Sequence, residues 1–148
     1  MTMKNLQKYK MQNNLLIKII TAPFAVLILH IFADLTGLYE NYWWMDIPLH
    51  FLGGVAIAIA SYFLLEYFTQ IKKLSINSLA LKSLIIISLV ALSAISWEFL
   101  EFFLDFYFAT EMQPSILDTI KDLAMGLLGG FTIIIWKQAK LIYSHGLN

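Results

Sequence analysis

Arginine and cysteine are both absent from this chain of 148 residues, and each absence excludes a class of function. Without cysteine the chain can form neither disulfides nor thiolate metal sites. All ten basic residues are lysines, so the side chain that most often clamps phosphate is missing. Charged residues make up only 14% of the chain and the formal net charge is zero. The chain therefore has no basic field that would attract nucleic acid.

The chain is instead rich in apolar residues, which make up 59% of it. Ordinary soluble domains are about 45–50% apolar, and the mean hydropathy here is +0.72. Hydrophobic runs predict four spans, near 15–35, 46–68, 79–108 and 116–136. We predict an all-α, polytopic membrane protein with these four helices in one bundle. The predicted transmembrane domain is 15–136, between cytoplasmic tails at 1–14 and 137–148.

The positions of the lysines predict how the bundle is oriented. In a four-span topology the lysines of the termini and of the 70–78 turn share one side of the membrane, whereas the loops 36–46 and 109–117 contain none. By the positive-inside rule, both termini are cytoplasmic in a multi-pass protein of the plasma (inner) membrane. The lysines that carry this argument are Lys4, Lys8, Lys10, Lys72, Lys73, Lys137 and Lys140.

Three acids interrupt the third span, within 96–105. Ionised carboxylates in hydrocarbon cost about 2.5–3.5 kcal/mol each, so they persist only beside partners, water or a cation. Glu98, Glu101 and Asp105 are spaced i, i+3 and i+7, which places them on one helix face. The predicted topology brings polar groups of the other helices to the same depth, namely His30, Asp34, Asp46, His50, Asp118, Lys121 and Asp122.

Seven acids at one depth face a single interior cation, Lys121. Either the carboxylates share protons or a bound cation neutralises them. Carboxylates and histidine spaced i, i+3 or i, i+4 on different helices resemble the layout of di-iron and di-manganese bundles. Such a site suits Zn, Mn, Fe(II), Mg or Ca, and six ligands could hold two ions about 3.5–4 Å apart. The predicted ligands are Asp46, His50, Glu98, Glu101, Asp118 and Asp122. We expect four further residues to orient these ligands from outside, namely His30, Asp34, Asp105 and Lys121.

Simpler structural explanations remain open for several of these residues. Asp46 could only cap the second helix, and Asp118 could be the third position of a capping box. His50 could be a hydrogen-bonded histidine of the bundle. Asp34 and Asp105 could lie in the headgroup region. Glu98 and Glu101 resist such explanations most.

A weak internal repeat supports the convergence of these residues. The pattern D-x3-H-x3-G at 46–54 is matched by D-x3-D-x3-G at 118–126. Two helical hairpins related by an axis along the membrane normal would explain it, although the match could also be chance. The glycine pairs at 53–54 and 129–130 would allow close helix approach behind the site.

The ordered motifs D-x3-H-F-x2-G at 46–54, E-x2-E at 98–101 and D-T-x2-D at 118–122 resemble a known family. The chain is similar to the YjdF-type family of bacterial integral membrane proteins and, more distantly, to VanZ-like membrane proteins. The resemblance covers residues 45–130, and the chain is shorter than typical members. It implies a membrane-embedded polar site but no particular reaction.

Three functions fit these observations. The first is a metal-dependent hydrolase or transferase at the outer leaflet, acting on a lipid or lipid-linked substrate, with Glu98 or Glu101 as general base. Missing arginine counts against phosphate chemistry, although Lys121 could serve unless it only pairs with Asp118 or Glu101. The second is an ion- or proton-coupled transporter, possible as a homo-oligomer. The third is a non-catalytic membrane partner with a structural metal site. If the protein is an enzyme, we expect an opening from the site to lipid. If it is a transporter, we expect an aqueous path past Gly126.

Overall fold

The computed structural model describes residues 3–145, and within them every regular element is a helix. The helices are α1 (Met3–Leu35), α2 (Leu38–Asn41), α3 (Asp46–Gln70), α4 (Leu79–Phe108) and α5 (Ile116–His145). The four long helices are each long and apolar enough to cross a membrane. The predicted all-α fold with four spans is therefore confirmed.

The N-terminal end of α1 and the C-terminal end of α5 extend beyond the predicted spans. Helix α1 begins at Met3 and α5 ends at His145, and the apolar spans within them are Lys10–Leu35 and Ile116–Lys140. The division into tails at 1–14 and 137–148 stays a prediction. The ends of these tails, 1–2 and 146–148, lie outside the described residues.

Local sequence explains where the helices stop and start at the loops. Gly37 follows α1 with a left-handed φ of 67°, which glycine adopts without steric cost. Its N–H donates to the carbonyl of Asp34 at 3.0 Å. The hydroxyl of Ser115 accepts a hydrogen bond from the Asp118 N–H at 3.2 Å, as expected for a helix N-cap. The four-residue helix α2 was not predicted from the sequence.

Helices α3 and α5 form the centre of the bundle. Buried residues make up 33% and 28% of their spans, against 6% for α1 and 11% for α4. Helix α3 packs against the other three long helices, and α4 packs on both α3 and α5. The two predicted hairpins are therefore not equivalent, because α1 packs chiefly on α3. A small apolar core joins α3, α4 and α5, and consists of Ala58, Leu65, Ile86, Val90 and Ile134.

Glycines bring the backbones of α3 and α5 into direct contact. A Cβ atom on Gly54 would lie 1.8 Å from the carbonyl oxygen of Gly126, and one on Gly129 would lie 2.1 Å from that of Phe51. No side chain fits at either place. The predicted close approach is confirmed for these glycines. Gly53 differs, because a Cβ there would meet no atom of the described chain within 4 Å.

Candidate metal centre

The imidazole of His50 lies between two pairs of carboxylates. Its Nε2 is 3.1 Å from Oδ1 of Asp46, one turn earlier on α3, and its Nδ1 is 3.8 Å from Oε1 of Glu98 on α4. Possible ligand atoms fall into two groups, each within 4.8 Å: Asp46, His50 and Asp122, and His50, Glu98 and Glu101. Three helices thus converge on one buried histidine.

Several polar atoms of this cluster are buried without a hydrogen-bond partner. Glu98, Glu101 and Asp122 are only 6%, 4% and 2% exposed. Oε1 of Glu98, Oδ1 of Asp122 and Nε2 of His50 accept or donate no hydrogen bond among the described residues; the contact of Nε2 with Asp46 is close but poorly aligned. A buried polar group left unpaired costs about 1–3 kcal/mol. A cation among these atoms would satisfy the carboxylate oxygens.

Each glutamate of the cluster is held by one hydrogen bond. The side-chain amide of Gln113 donates to Oε2 of Glu98 at 2.8 Å and also to its backbone carbonyl at 2.9 Å. The indole N–H of Trp97 donates to Oε1 of Glu101 at 2.7 Å. Carboxylates that bind metals are commonly oriented by such donors. One oxygen of each glutamate is therefore fixed, and the other remains for a ligand.

Asp105 lies outside the cluster and fixes the loop that follows α4. Its two carboxylate oxygens accept hydrogen bonds from the backbone N–H groups of Met112 at 2.9 Å and Gln113 at 2.8 Å, and Oδ1 also contacts the Thr110 hydroxyl. The same loop carries the Gln113 amide. Asp105 thus acts on Glu98 only through the position of Gln113.

Asp118 joins neither group of possible ligand atoms. Its carboxylate pairs with the ammonium group of Lys121, three residues later on α5. Lys121 Nζ is also 3.7 Å from Oδ1 of Asp122. Five of the six predicted ligands fall into the two groups, and among the described residues Asp118 is the one that does not. Lys121 therefore lies beside the Asp122 side of the cluster.

His30 packs next to the cluster without joining either group. It is 8% exposed, its Nδ1 is 2.6 Å from the hydroxyl of Tyr39, and its ring meets Trp97 edge to face at 4.6 Å. Trp97 in turn donates to Glu101. Burial, more than the neighbouring carboxylates, raises the pKa of Tyr39, so its hydroxyl stays protonated. Asp34, by contrast, is exposed and lies outside both groups.

Sequence reasoning missed three residues that hold the site. Trp97 and Glu101 are spaced i, i+4 on a predicted helix, so their contact could have been found. Tyr39 lies in the segment between α1 and α3, and its hydroxyl contacts Nδ1 of His30. Gln113 lies in a loop whose path no local pattern indicates.

A cavity of about 290 Å³ adjoins His50. Its walls come mainly from α1, α3 and α4. The lining residues include Leu27, His30, His50, Gly53, Val90 and Trp97.

Comparison with known proteins gives a family but no reaction. No curated protein matches the chain, and no solved structure matches it. A family model described as "Predicted membrane protein (DUF2238)" matches residues 3–141. The predicted placement in a membrane protein family is supported, while the YjdF-type and VanZ-like resemblances stay predictions. Since the match spans nearly the whole chain, this protein belongs to the DUF2238 family of predicted membrane proteins.

Proposed function

We propose that the cluster binds one divalent metal ion through His50, Glu98 and Glu101, and that the protein is a metal-dependent membrane enzyme. The observation that carries this proposal is the buried imidazole between carboxylates from three helices, with unpaired polar atoms that converge. Hydrogen bonds from Gln113 and Trp97 already orient both glutamates.

The chemistry of imidazole favours one ion rather than two. A neutral histidine offers one lone pair, so one ring nitrogen binds a metal while the other N–H donates to a carboxylate. His50 is shared by both groups, and it can serve as a ligand in only one of them at a time.

The charge of Lys121 favours the Glu98 side of His50 as the position of the ion. Lys121 lies 3.7 Å from Asp122 and would repel a cation bound there. The 3.8 Å between His50 Nδ1 and Glu98 Oε1 is compatible with ligation of one tetrahedral ion, whose ligand atoms lie about 3.4 Å apart when the bonds are about 2.1 Å long. The Nε2 edge then faces Asp46 as the partner that orients the ring.

The ligand set also favours certain metals. One imidazole with carboxylates suits Zn, Mn or Fe(II), whereas Mg and Ca prefer oxygen ligands alone. A bound ion of this kind supplies Lewis acidity and an activated nucleophile. With Glu98 and Glu101 as ligands, the carboxylates left to accept a proton are Asp46 and Asp122. A hydrolase or transferase acting on a lipid or lipid-linked substrate fits this arrangement.

The transporter alternative has less support. An aqueous path past Gly126 would have to pass between α3 and α5, where the backbones of Gly54 and Gly126 are in contact. Close backbone packing at this point counts against a path along that interface. An enzyme that acts on a lipid needs a binding place for the lipid beside the metal, whereas a structural metal site does not. Lipid binding in the cavity beside His50 therefore distinguishes the two functions.

The proposed enzyme would work at the outer leaflet, with both termini in the cytoplasm. Because the chain has no cysteine, single-cysteine variants test this directly. Glu111→Cys should react with a membrane-impermeant maleimide on intact cells, and Lys73→Cys should react only after lysis. The opposite pattern would place the site at the cytoplasmic face.

Metal content of the detergent-purified protein is the direct test of the proposal. Mass spectrometry should find about one equivalent of transition metal, and a Glu98→Gln/Glu101→Gln variant should lose metal affinity by at least about tenfold. Asp118→Asn is the matched control, because Asp118 lies outside both groups. If the folded wild type takes up no Zn, Mn or Fe(II), the metal proposal fails. Shared protons would then explain the acids.

A further inference from the structure

The cavity beside His50 is almost entirely apolar. Most of its wall consists of leucine, valine, isoleucine, alanine, glycine and proline residues. The polar groups along it belong to His30, His50, Ser93 and the Trp97 indole. Apolar cavities stay dry and take up apolar molecules. Water alone is therefore a poor occupant of this space.

The shape of the cavity fits an extended chain. The lining segments 23–30, 49–57 and 90–97 run parallel to the helix axes, which gives a length of about 12 Å at about 1.5 Å per residue. One end is at the level of His50, and the other lies deeper in the bundle. The long axis thus leads from the polar site into the apolar middle of the protein.

The cavity also reaches the surface that faces lipid. Leu27 on α1 lines it and is 38% exposed. Helices α1 and α4 both pack on α3 and form the two sides of the cavity. Within the described residues they meet at the His50 end through the edge-to-face contact of His30 and Trp97, and they do not pack extensively on each other. A chain could therefore enter sideways from the bilayer, between α1 and α4.

The volume limits what fits. The cavity holds about 290 Å³, roughly twice the engineered cavity of about 150 Å³ that binds benzene. Binding sites for whole small molecules span about 300–1,000 Å³. The space accommodates part of one hydrocarbon chain, and excludes a pair of chains side by side.

We propose that this cavity binds a single hydrocarbon chain of an amphiphilic membrane lipid and presents the polar head of that lipid at His50. The role of the head rests on the proposed function. Chain binding does not, because the cavity is built from residues other than Glu98 and Glu101.

Gly53 keeps the cavity open. A Cβ atom on Gly53 would have no described atom within 4 Å, because this face of α3 borders the cavity. The Cβ atom of a leucine is therefore accommodated without moving the backbone, and we expect the rest of the side chain to occupy the space that a hydrocarbon chain would use. Leucine also improves the helix propensity of the position, so the variant is expected to fold.

Photolabelling in reconstituted vesicles tests chain binding. The probe is a hexadecanol that carries a diazirine on its chain, and the protein is kept metal-free with a chelator. Peptide mass spectrometry should find saturable labels in 23–30 and 90–97. Excess unlabelled hexadecanol or geranylgeraniol should compete, and the stronger competitor identifies an acyl-type or an isoprenoid chain.

The variant Gly53→Leu should reduce this labelling by about tenfold, which corresponds to about 1.4 kcal/mol. Ala25→Leu is the matched control, because Ala25 is exposed on α1 at the same depth and its labelling should equal that of wild type. Unsaturable labelling of the wild type, or equal labelling of a folded Gly53→Leu protein, would overturn the proposal. If that variant does not fold, competition in the wild type decides alone.

The two proposals fail separately. Gly53→Leu should keep its metal, because none of the three ligands is changed. Saturable labelling of a protein that never binds metal would remove the metal proposal and leave the lipid cavity. Metal binding without saturable labelling would remove the lipid-cavity proposal and leave the metal proposal. It would also favour a structural metal site.

Discussion

Gly53 and Gly54 are neighbours on α3, yet the space around them differs. A Cβ on Gly54 would lie 1.8 Å from the carbonyl oxygen of Gly126, while one on Gly53 would meet no described atom within 4 Å. The α5 face of α3 is closed by backbone contact, and the α1–α4 face borders a cavity of about 290 Å³. In a bilayer, helices associate through close packing rather than through exclusion of water. Tight contact on one face therefore lets the other face remain open.

The largest effect is expected at the closed face. Gly54→Ala places a methyl group against backbone that cannot move aside, so α3 and α5 must separate. We expect the free energy of unfolding to fall by about 3 kcal/mol or more, measured by denaturant unfolding in mixed micelles. Gly53→Ala is the matched control and should raise stability by up to about 1 kcal/mol, since alanine is the better helix former. Equal losses for both variants would remove the contrast between the two faces.

Gly130 offers an intermediate case. Its added Cβ would lie 3.0 Å from Cγ1 of Val90 and 3.3 Å from Cδ1 of Ile87, which are side-chain atoms that can shift. Gly130→Ala should cost about 1–2 kcal/mol. In a Val90→Ala background the cost should be smaller, because the obstructing methyl groups are gone. Strict additivity in this double-mutant cycle would mean that the two residues do not compete for space.

Variants can also distinguish metal binding on the Glu98 side of His50 from metal binding on the Asp46 side. Gln113→Ala removes the donor to Glu98, and metal affinity should fall by about tenfold, measured by competition with a chromophoric chelator. Gln138→Ala is the control, because Gln138 donates a hydrogen bond to Ser83 far from the site. If Gln113→Ala has no effect while Asp122→Asn abolishes binding, the ion lies on the Asp46 side.

The smallest effect is expected at Lys121. Lys121→Met removes a positive charge near Asp122, so a cation beside His50 should bind about threefold more tightly, because the lysine is partly exposed and screened. The gain should shrink as salt is added in the same chelator assay. Weaker binding in the variant would show that Lys121 instead holds Asp122 in place.

The four spans could be predicted because a bilayer demands long apolar runs, and α4 begins and ends where the sequence indicated, at Leu79 and Phe108. Helical spacing also placed Glu98 and Glu101 on one face. Asp118 stays a predicted ligand; its carboxylate pairs with Lys121, one turn later, which was one of the partners that the sequence offered for this lysine. The pattern at 53–54 could not distinguish the two glycines, because helix rotation depends on tertiary packing.

Residues in loops were harder still to predict. Tyr39 reaches His30 only because a short helix follows the left-handed Gly37. Gln113 reaches Glu98 only because Asp105 binds the loop backbone. Neither contact follows from a periodic pattern, since both depend on the path of the chain between helices.

The side chain of Gln113 binds both the carboxylate and the backbone carbonyl of Glu98. The loop between α4 and α5 therefore cannot lift away from the bundle without releasing that glutamate. A molecule that binds this loop would change the shape of a site that it does not contact. The loop thus couples the end of the bundle mechanically to the buried acids.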